Sequence, residues 1–204
     1  MGQARRDGRG STPPLRKQAG REPAGVGEGF IPSRRNLVLI GMPGSGKSTV
    51  GVLLAKRLAL DFVDTDVLIQ AAERRPLQAI VDAEGPLALR RVEERTLLAL
   101  DVEGHVIATG GSAVYSRPAM EHLRTGGTIV FLDVDLPTLE ARVGDFGSRG
   151  LAKRPDQSLA DLFEERRPLY LAAADVVVDC RGLTHDGVCE RVASSSKDRL
   201  RRWG

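Results

Sequence analysis

The octapeptide Gly41-Met42-Pro43-Gly44-Ser45-Gly46-Lys47-Ser48 limits the fold more than any other stretch of this chain. It follows a short apolar run, Asn36–Ile40, and opens an amphipathic stretch, Gly46–Leu60, so the chain turns sharply from a buried strand into a helix. The glycines permit a tight loop whose backbone N–H groups converge on one point, and the helix N-terminus adds a dipole that favours an anion there. Lys47 and the Ser48 hydroxyl lie beside that point, one a cation for phosphate oxygens and the other a ligand for Mg²⁺. A ligand-free glycine turn would use the same residues, but the strand before and the helix after favour a phosphate-binding loop. Gly44, Ser45, Gly46, Lys47, Ser48 and Thr49 are therefore the candidate nucleotide contacts.

Downstream, short apolar runs alternate with amphipathic stretches, the pattern of a parallel sheet covered by helices. Strands are predicted at Asn36–Ile40, Phe62–Val63, His105–Ala108, Thr128–Leu132 and Asp175–Asp179. Helices are predicted at Gly46–Leu60, Val67–Glu73, Leu77–Ala83, Pro86–Val102, Pro118–Leu123, Leu136–Val143 and Leu159–Ala174, with a last one starting near Thr184. The expected fold is α/β: a single-domain three-layer sandwich, with a five-stranded parallel sheet and helices on both faces. Ligands belong at the carboxyl ends of its strands. Residues 144–157 carry several glycines, Arg149 and few apolar anchors, and are expected to form a mobile lid. Residues 1–34 are rich in Gly, Pro, Arg and Ser with little apolar periodicity, so a disordered basic extension is expected before a folded domain at 35–204.

Charge supports that division. The whole chain has a formal net charge of +3 and a pI near 9.1, which could suggest a polyanion partner. Residues 1–35 hold eight basic residues against three acidic, and residues 197–202 hold four against one, so the body between is net acidic. The basic residues of the tail are not interleaved with aromatics that would stack on bases, which favours a solvated extension over a nucleic-acid arm. No apolar run approaches the roughly 18 residues of a membrane span, and the N-terminus lacks the apolar core of a secretory signal. The expectation is a cytoplasmic monomer acting on a small molecule, without nucleic-acid or membrane partners. Cys180 and Cys189 lack metal-ligand spacing and are expected to be free thiols.

Asp64 and Asp66 flank Thr65 where the second strand ends. Two residues apart on a strand, both carboxylates can face the phosphate loop. One could hold the Mg²⁺ shell while the other positions and deprotonates an acceptor hydroxyl. Asp64 or Thr65 could instead simply cap the helix expected to begin at Val67. Further on stand Leu89-Arg90-Arg91-Val92-Glu93, Ala108-Thr109-Gly110-Gly111-Ser112-Ala113 and Arg166-Arg167-Pro168-Leu169-Tyr170. With these motifs in this order, the chain from about Asn36 to Asp179 resembles the shikimate kinases of the nucleoside monophosphate kinase fold group.

The resemblance implies transfer of a phosphoryl group from ATP, with Mg²⁺, to the 3-hydroxyl of shikimate. It makes Asp64 the magnesium aspartate, Asp66 the substrate-hydroxyl aspartate, and Arg90 and Arg166 the two arginines for the substrate carboxylate. Glu93 would brace the site, and Gly110 and Gly111 would let backbone approach the substrate ring, with Ser112 replacing a third glycine. Arg142 would pack on adenine, and Arg149 would bring lid charge to the phosphates. An anionic polyol suits such a pair, since arginine offers a carboxylate a planar fork that lysine lacks. Arg91 and Arg167 are then left as surface residues, and His105, His122 and His185 receive no role. Two alternatives are a related kinase for another sugar acid such as gluconate, and a non-catalytic nucleotide-binding regulator.

Overall fold

The computed structural model describes residues 35–143 and 156–201. Five apolar runs form the strands β1 (Asn36–Ile40), β2 (Asp61–Asp64), β3 (His105–Ala108), β4 (Gly127–Asp133) and β5 (Val176–Asp179). They pair in the order β2-β3-β1-β4-β5, every pair parallel. Every residue of β1 is buried, as befits the central strand of a doubly covered sheet. Fully burying each of Leu37, Leu39 and Ile40 contributes about 1.5–3 kcal/mol.

The amphipathic stretches become α1 (Lys47–Leu58), α2 (Thr65–Glu73), α3 (Leu77–Glu84), α4 (Pro86–Leu98), α5 (Arg117–Gly126), α6 (Leu136–Val143), α7 (Leu159–Ala173) and α8 (His185–Arg201). Strand alternation decides which face each covers. Leu39 points at Gly51 of α1. Phe131, which pairs in register with Ile40, stacks on Tyr170 of α7 with ring centroids 5.1 Å apart. Neighbouring residues of a strand point to opposite faces, so α1 and α7 lie on opposite sides of the sheet. This is the three-layer arrangement expected. Cys180 and Cys189 are free and buried.

Most boundaries shift by one to three residues from expectation, α5 for instance running Arg117–Gly126 where Pro118–Leu123 was expected, and three departures bear on the site or the core. The fourth helix stops at Leu98 rather than Val102: Ala99 donates to Arg95 O and Leu100 to Leu97 O, tightening the last turn. The chain then turns through Gly104 at φ 71. Leu100 is buried and Val102 packs on the core, so the apolar period continues after the helix has ended. The second helix begins at Thr65, two residues early, because Asp64 caps it. A 3₁₀ turn, Ala113–Tyr115, fills a stretch with no predicted element.

Register brings three strand ends to one level. Ala108 pairs with Leu39 of β1 on one side and with Asp64 of β2 on the other. The loops leaving β1, β2 and β3 therefore open into the same space.

Candidate active site

The phosphate loop leaves β1 and enters α1 through Gly46, whose φ of 92 is left-handed and suits glycine. No side chain caps α1 and its first turn holds no acidic residue, so its leading N–H groups and positive dipole end face an anion site. Lys47 is buried, and its Nζ donates to Gly41 O and Met42 O at 2.9 Å each and to Ser45 Oγ at 3.4 Å. Burial lowers its pKa to about 8, against the opposing pull of Asp66, Asp64 and Glu93.

Asp64 Oδ1 accepts from the N–H groups of Asp66 at 3.0 Å and Val67 at 3.4 Å, the capping role left open by the sequence. Asp66 thus sits in the first turn of α2, and the turn into that helix, not strand alternation, aims its carboxylate. Thr65 fixes the position further. Its buried Oγ1 accepts from Gly110 N at 3.1 Å, while Thr109 Oγ1 donates to Leu39 O at 3.0 Å, tying α2, the loop after β3 and β1 together.

Gly110 stands between two carboxylates. A Cβ there would overlap Glu93 Oε1 and lie 2.9 Å from Asp66 Oδ1, so the close approach requires glycine. Asp66 Oδ1 is buried without a hydrogen-bond donor among the described residues. Burial first, and the Asp64 charge second, raise the Asp66 pKa to about 6. Glu93 is buried on α4 and is likewise raised to about 7, chiefly by burial. The Ser112 hydroxyl donates to Glu93 Oε2 and opposes that rise.

One cavity of about 460 Å³ takes in Pro43, Lys47, Ser48, Asp66, Glu93, Thr109 and Arg166, a size suited to small ligands. Arg142 and His185 also line it, and His185 Nε2 would lie 3.4 Å from a Cβ on Gly46. His185 gave no sequence signal: only the packing of α8 against α1 brings it to the loop. Arg166 is almost wholly buried on α7. Arg90 lies with its guanidinium 3.6 Å from the centroid of the Tyr115 ring.

A family model described as shikimate kinase matches residues 43–197. The chain belongs to the shikimate kinase family. A shikimate kinase of Sulfurihydrogenibium sp. is 34% identical over 166 residues, which are 81% of this chain and 99% of that protein. One from Pseudomonas paraeruginosa is 42% identical over 147 residues, 71% of this chain and 86% of that one. The solved shikimate kinase from Acinetobacter baumannii in complex with shikimate has a TM-score of 0.74 at 27% identity, covering 81% of this chain and 94% of that chain. As a shikimate kinase family member the chain is an ATP-dependent kinase.

Of the residues expected in a shikimate kinase site, Lys47, Asp66, Glu93, Gly111 and Arg166 line this same cavity, and Gly110 adjoins it. Arg149 and most of the 144–157 segment lie outside the described residues, as does the 1–34 extension. Arg91 is exposed, as expected. Arg167 is not a plain surface residue: its Nε and Nη2 donate to Asp133 Oδ1 and Oδ2 at 3.1 and 2.7 Å, fastening α7 to the end of β4.

Ser112, where the resemblance had led to a third glycine, gives a prediction. Below pH 4.5 Glu93 is protonated folded or unfolded; between 4.5 and about 7 the folded state holds the extra proton, so stability falls as pH rises and levels off above about 7. Ser112→Ala removes a bond that favours the carboxylate, so the decline should extend to higher pH. Urea midpoints measured from pH 5 to 9 check this; an unchanged profile would show that the Ser112 bond does not govern Glu93.

Proposed function

We propose that this chain transfers the γ-phosphoryl group of ATP to the 3-hydroxyl of shikimate. The observation that carries the proposal is the Asp66 carboxylate, whose Oδ1 is a buried acceptor without a donor among the described residues, in one cavity with Lys47 and Arg166. A substrate hydroxyl supplies the missing donor, and Asp66 takes its proton as the oxygen attacks. Lys47 and the leading N–H groups of α1 stabilise charge on the transferring group. Arg90 and Arg166 bind the substrate carboxylate, and Arg142 with His185 borders the nucleotide end of the cavity.

The donor set fits Mg²⁺. Asp64 makes both capping bonds through Oδ1, so Oδ2 retains its lone pairs, and Ser48 lines the cavity at the first turn of α1. Among the described residues no cluster of three His, Cys, Asp or Glu could hold a metal alone. That suits an ion normally bound through one or two carboxylates plus phosphate oxygens. Ser48 and Asp64 would hold it, and its charge would neutralise phosphate oxygens. No helix among the described residues is long and apolar enough to cross a membrane. A cytoplasmic monomer, with neither nucleic acid nor membrane as partner, completes the proposal.

The test is ADP release with Mg-ATP and a panel of shikimate, quinate, gluconate, nucleoside monophosphates or no acceptor. Shikimate should give the highest kcat/KM, with very slow turnover in its absence. Arg90→Ala and Arg166→Lys should each raise the shikimate KM roughly 10- to 100-fold and leave the ATP KM nearly unchanged. Each loses charge-assisted contacts of about 1.5–3 kcal/mol to the carboxylate. Faster turnover with gluconate or a nucleotide would overturn the substrate assignment.

A further inference from the structure

Arg90 on α4 and Arg166 on α7 come from distant parts of the chain, yet a single side chain touches both. The guanidinium of Arg90 lies 3.6 Å from the centroid of the Tyr115 ring, and that of Arg166 lies 5.1 Å from it. Arg166 Nε also donates to the Tyr115 hydroxyl at 3.2 Å. Tyr115 ends the 3₁₀ turn, which packs against both α4 and α7. Its backbone N–H donates to Ser112 O at 3.1 Å, so the ring is carried on the same short turn that begins beside Glu93.

The chemistry of this contact is directional. An aromatic face carries negative quadrupolar charge and attracts cations, most effectively planar guanidinium groups. Two arginines gathered for one anion repel each other before the anion arrives, and a shared ring offsets part of that repulsion. The phenol adds a second constraint. Its oxygen accepts from Arg166 Nε, and its own proton goes to Glu165 Oε1 at 2.5 Å. Glu165 in turn accepts from Gln157 Nε2 at 2.6 Å through its other oxygen. The bond from Nε to the phenol fixes how the planar Arg166 guanidinium sits beside the ring.

We propose that Tyr115 is a positioning residue that sets the Arg90–Arg166 fork for the carboxylate of the acceptor. The proposal rests on the assignment of those arginines to the substrate carboxylate. Tyr115 itself need not touch the substrate. Its contribution is to spare the two long side chains the ordering they would otherwise undergo on binding. The acceptor KM should therefore depend on Tyr115, and the ATP KM should not.

The experiment measures both KM values and kcat for Tyr115→Leu, Tyr115→Phe, Arg90→Ala and the Tyr115→Leu/Arg90→Ala double variant of the full chain. Tyr115→Leu should raise the shikimate KM about tenfold, with the ATP KM and kcat within about twofold of wild type. Tyr115→Phe keeps the ring and loses only the hydroxyl, so it should rise two- to fivefold. The double variant should bind shikimate only about two- to fivefold worse than Arg90→Ala alone, less than the tenfold of Tyr115→Leu by itself, since the ring then has only its Arg166 contact left to lose. An unchanged or lowered shikimate KM in Tyr115→Leu overturns the proposal, as does a parallel rise in both KM values with a fall in kcat. Should Tyr115→Leu fail to fold, a wild-type shikimate KM in Tyr115→Phe overturns the hydrogen-bonded arm, and strict additivity of Tyr115→Phe with Arg166→Lys overturns the coupling. If Arg90→Ala and Arg166→Lys leave the shikimate KM alone, the carboxylate assignment itself fails. If they raise it and the Tyr115 variants do not, only the role of Tyr115 fails.

Discussion

Lys47→Ala should lower kcat at least about a hundredfold, on the order of 3 kcal/mol of lost transition-state stabilisation. Lys47 is the one cation that the phosphate loop itself carries into the cavity, and it is already ordered by bonds to Gly41 O and Met42 O. Folding should survive the change. At neutral pH the native state bears a buried ammonium whose pKa burial has pulled down to about 8, so removing the charge relieves a desolvation cost while losing three hydrogen bonds. The wild-type enzyme offers a second readout. Deprotonation of Lys47 in the free enzyme should make kcat/KM for ATP fall as pH rises through about 8. With ATP saturating, phosphate oxygens beside Nζ favour the charged form, so kcat should hold to higher pH. Near-normal turnover in a folded Lys47→Ala variant would sink the phosphate-loop assignment.

What the sequence carries and what it leaves out follow from the range of the forces involved. β1 and β3 begin and end where the sequence places them, and α6 begins there, because turn residues and a change of hydrophobic period flank them closely. The fourth helix was harder to delimit, since Leu100 and Val102 bury themselves after the helix stops and so mimic its continuation. The loop residues of the site are legible because glycine, lysine and hydroxyl spacing is dictated locally by phosphate geometry. Thr65, Tyr115 and His185 are not, because each acts across the fold. Thr65 reaches Gly110, 45 positions away. Tyr115 matters only because α4 and α7 converge on its turn. Arg167 carries the same lesson in reverse: an arginine that reads as solvated closes a bidentate pair with Asp133, 34 positions away.

Asp66→Asn should lower kcat on the order of a hundredfold or more, the usual worth of a positioned general base, while changing the shikimate KM far less than the arginine variants do. Asparagine preserves the size of the side chain and can still contact the hydroxyl, so ground-state binding persists while proton acceptance is lost. The pH dependence separates this from a merely structural effect. Asp66 must be ionised to accept the proton, and its pKa of about 6 places the acid limb of wild-type kcat/KM there, well above the ordinary carboxylate value of 3.8. Glu93 ionises nearby, at about 7, with Arg90 and Arg166 favouring its charge and Asp66 opposing it. The limb assigned to Asp66 is therefore the one that disappears in Asp66→Asn. Stability should move the other way. Between pH 3.8 and about 6 the folded wild type holds a proton that the unfolded chain has released, so its stability falls across that window and the deficit persists above it. Asp66→Asn has no such titration, so it should lose less stability from pH 4 to 7, and at pH 7 its melting temperature should equal or exceed that of wild type. A variant with wild-type turnover, or one whose residual activity keeps the acid limb near pH 6, would remove Asp66 from the role of base.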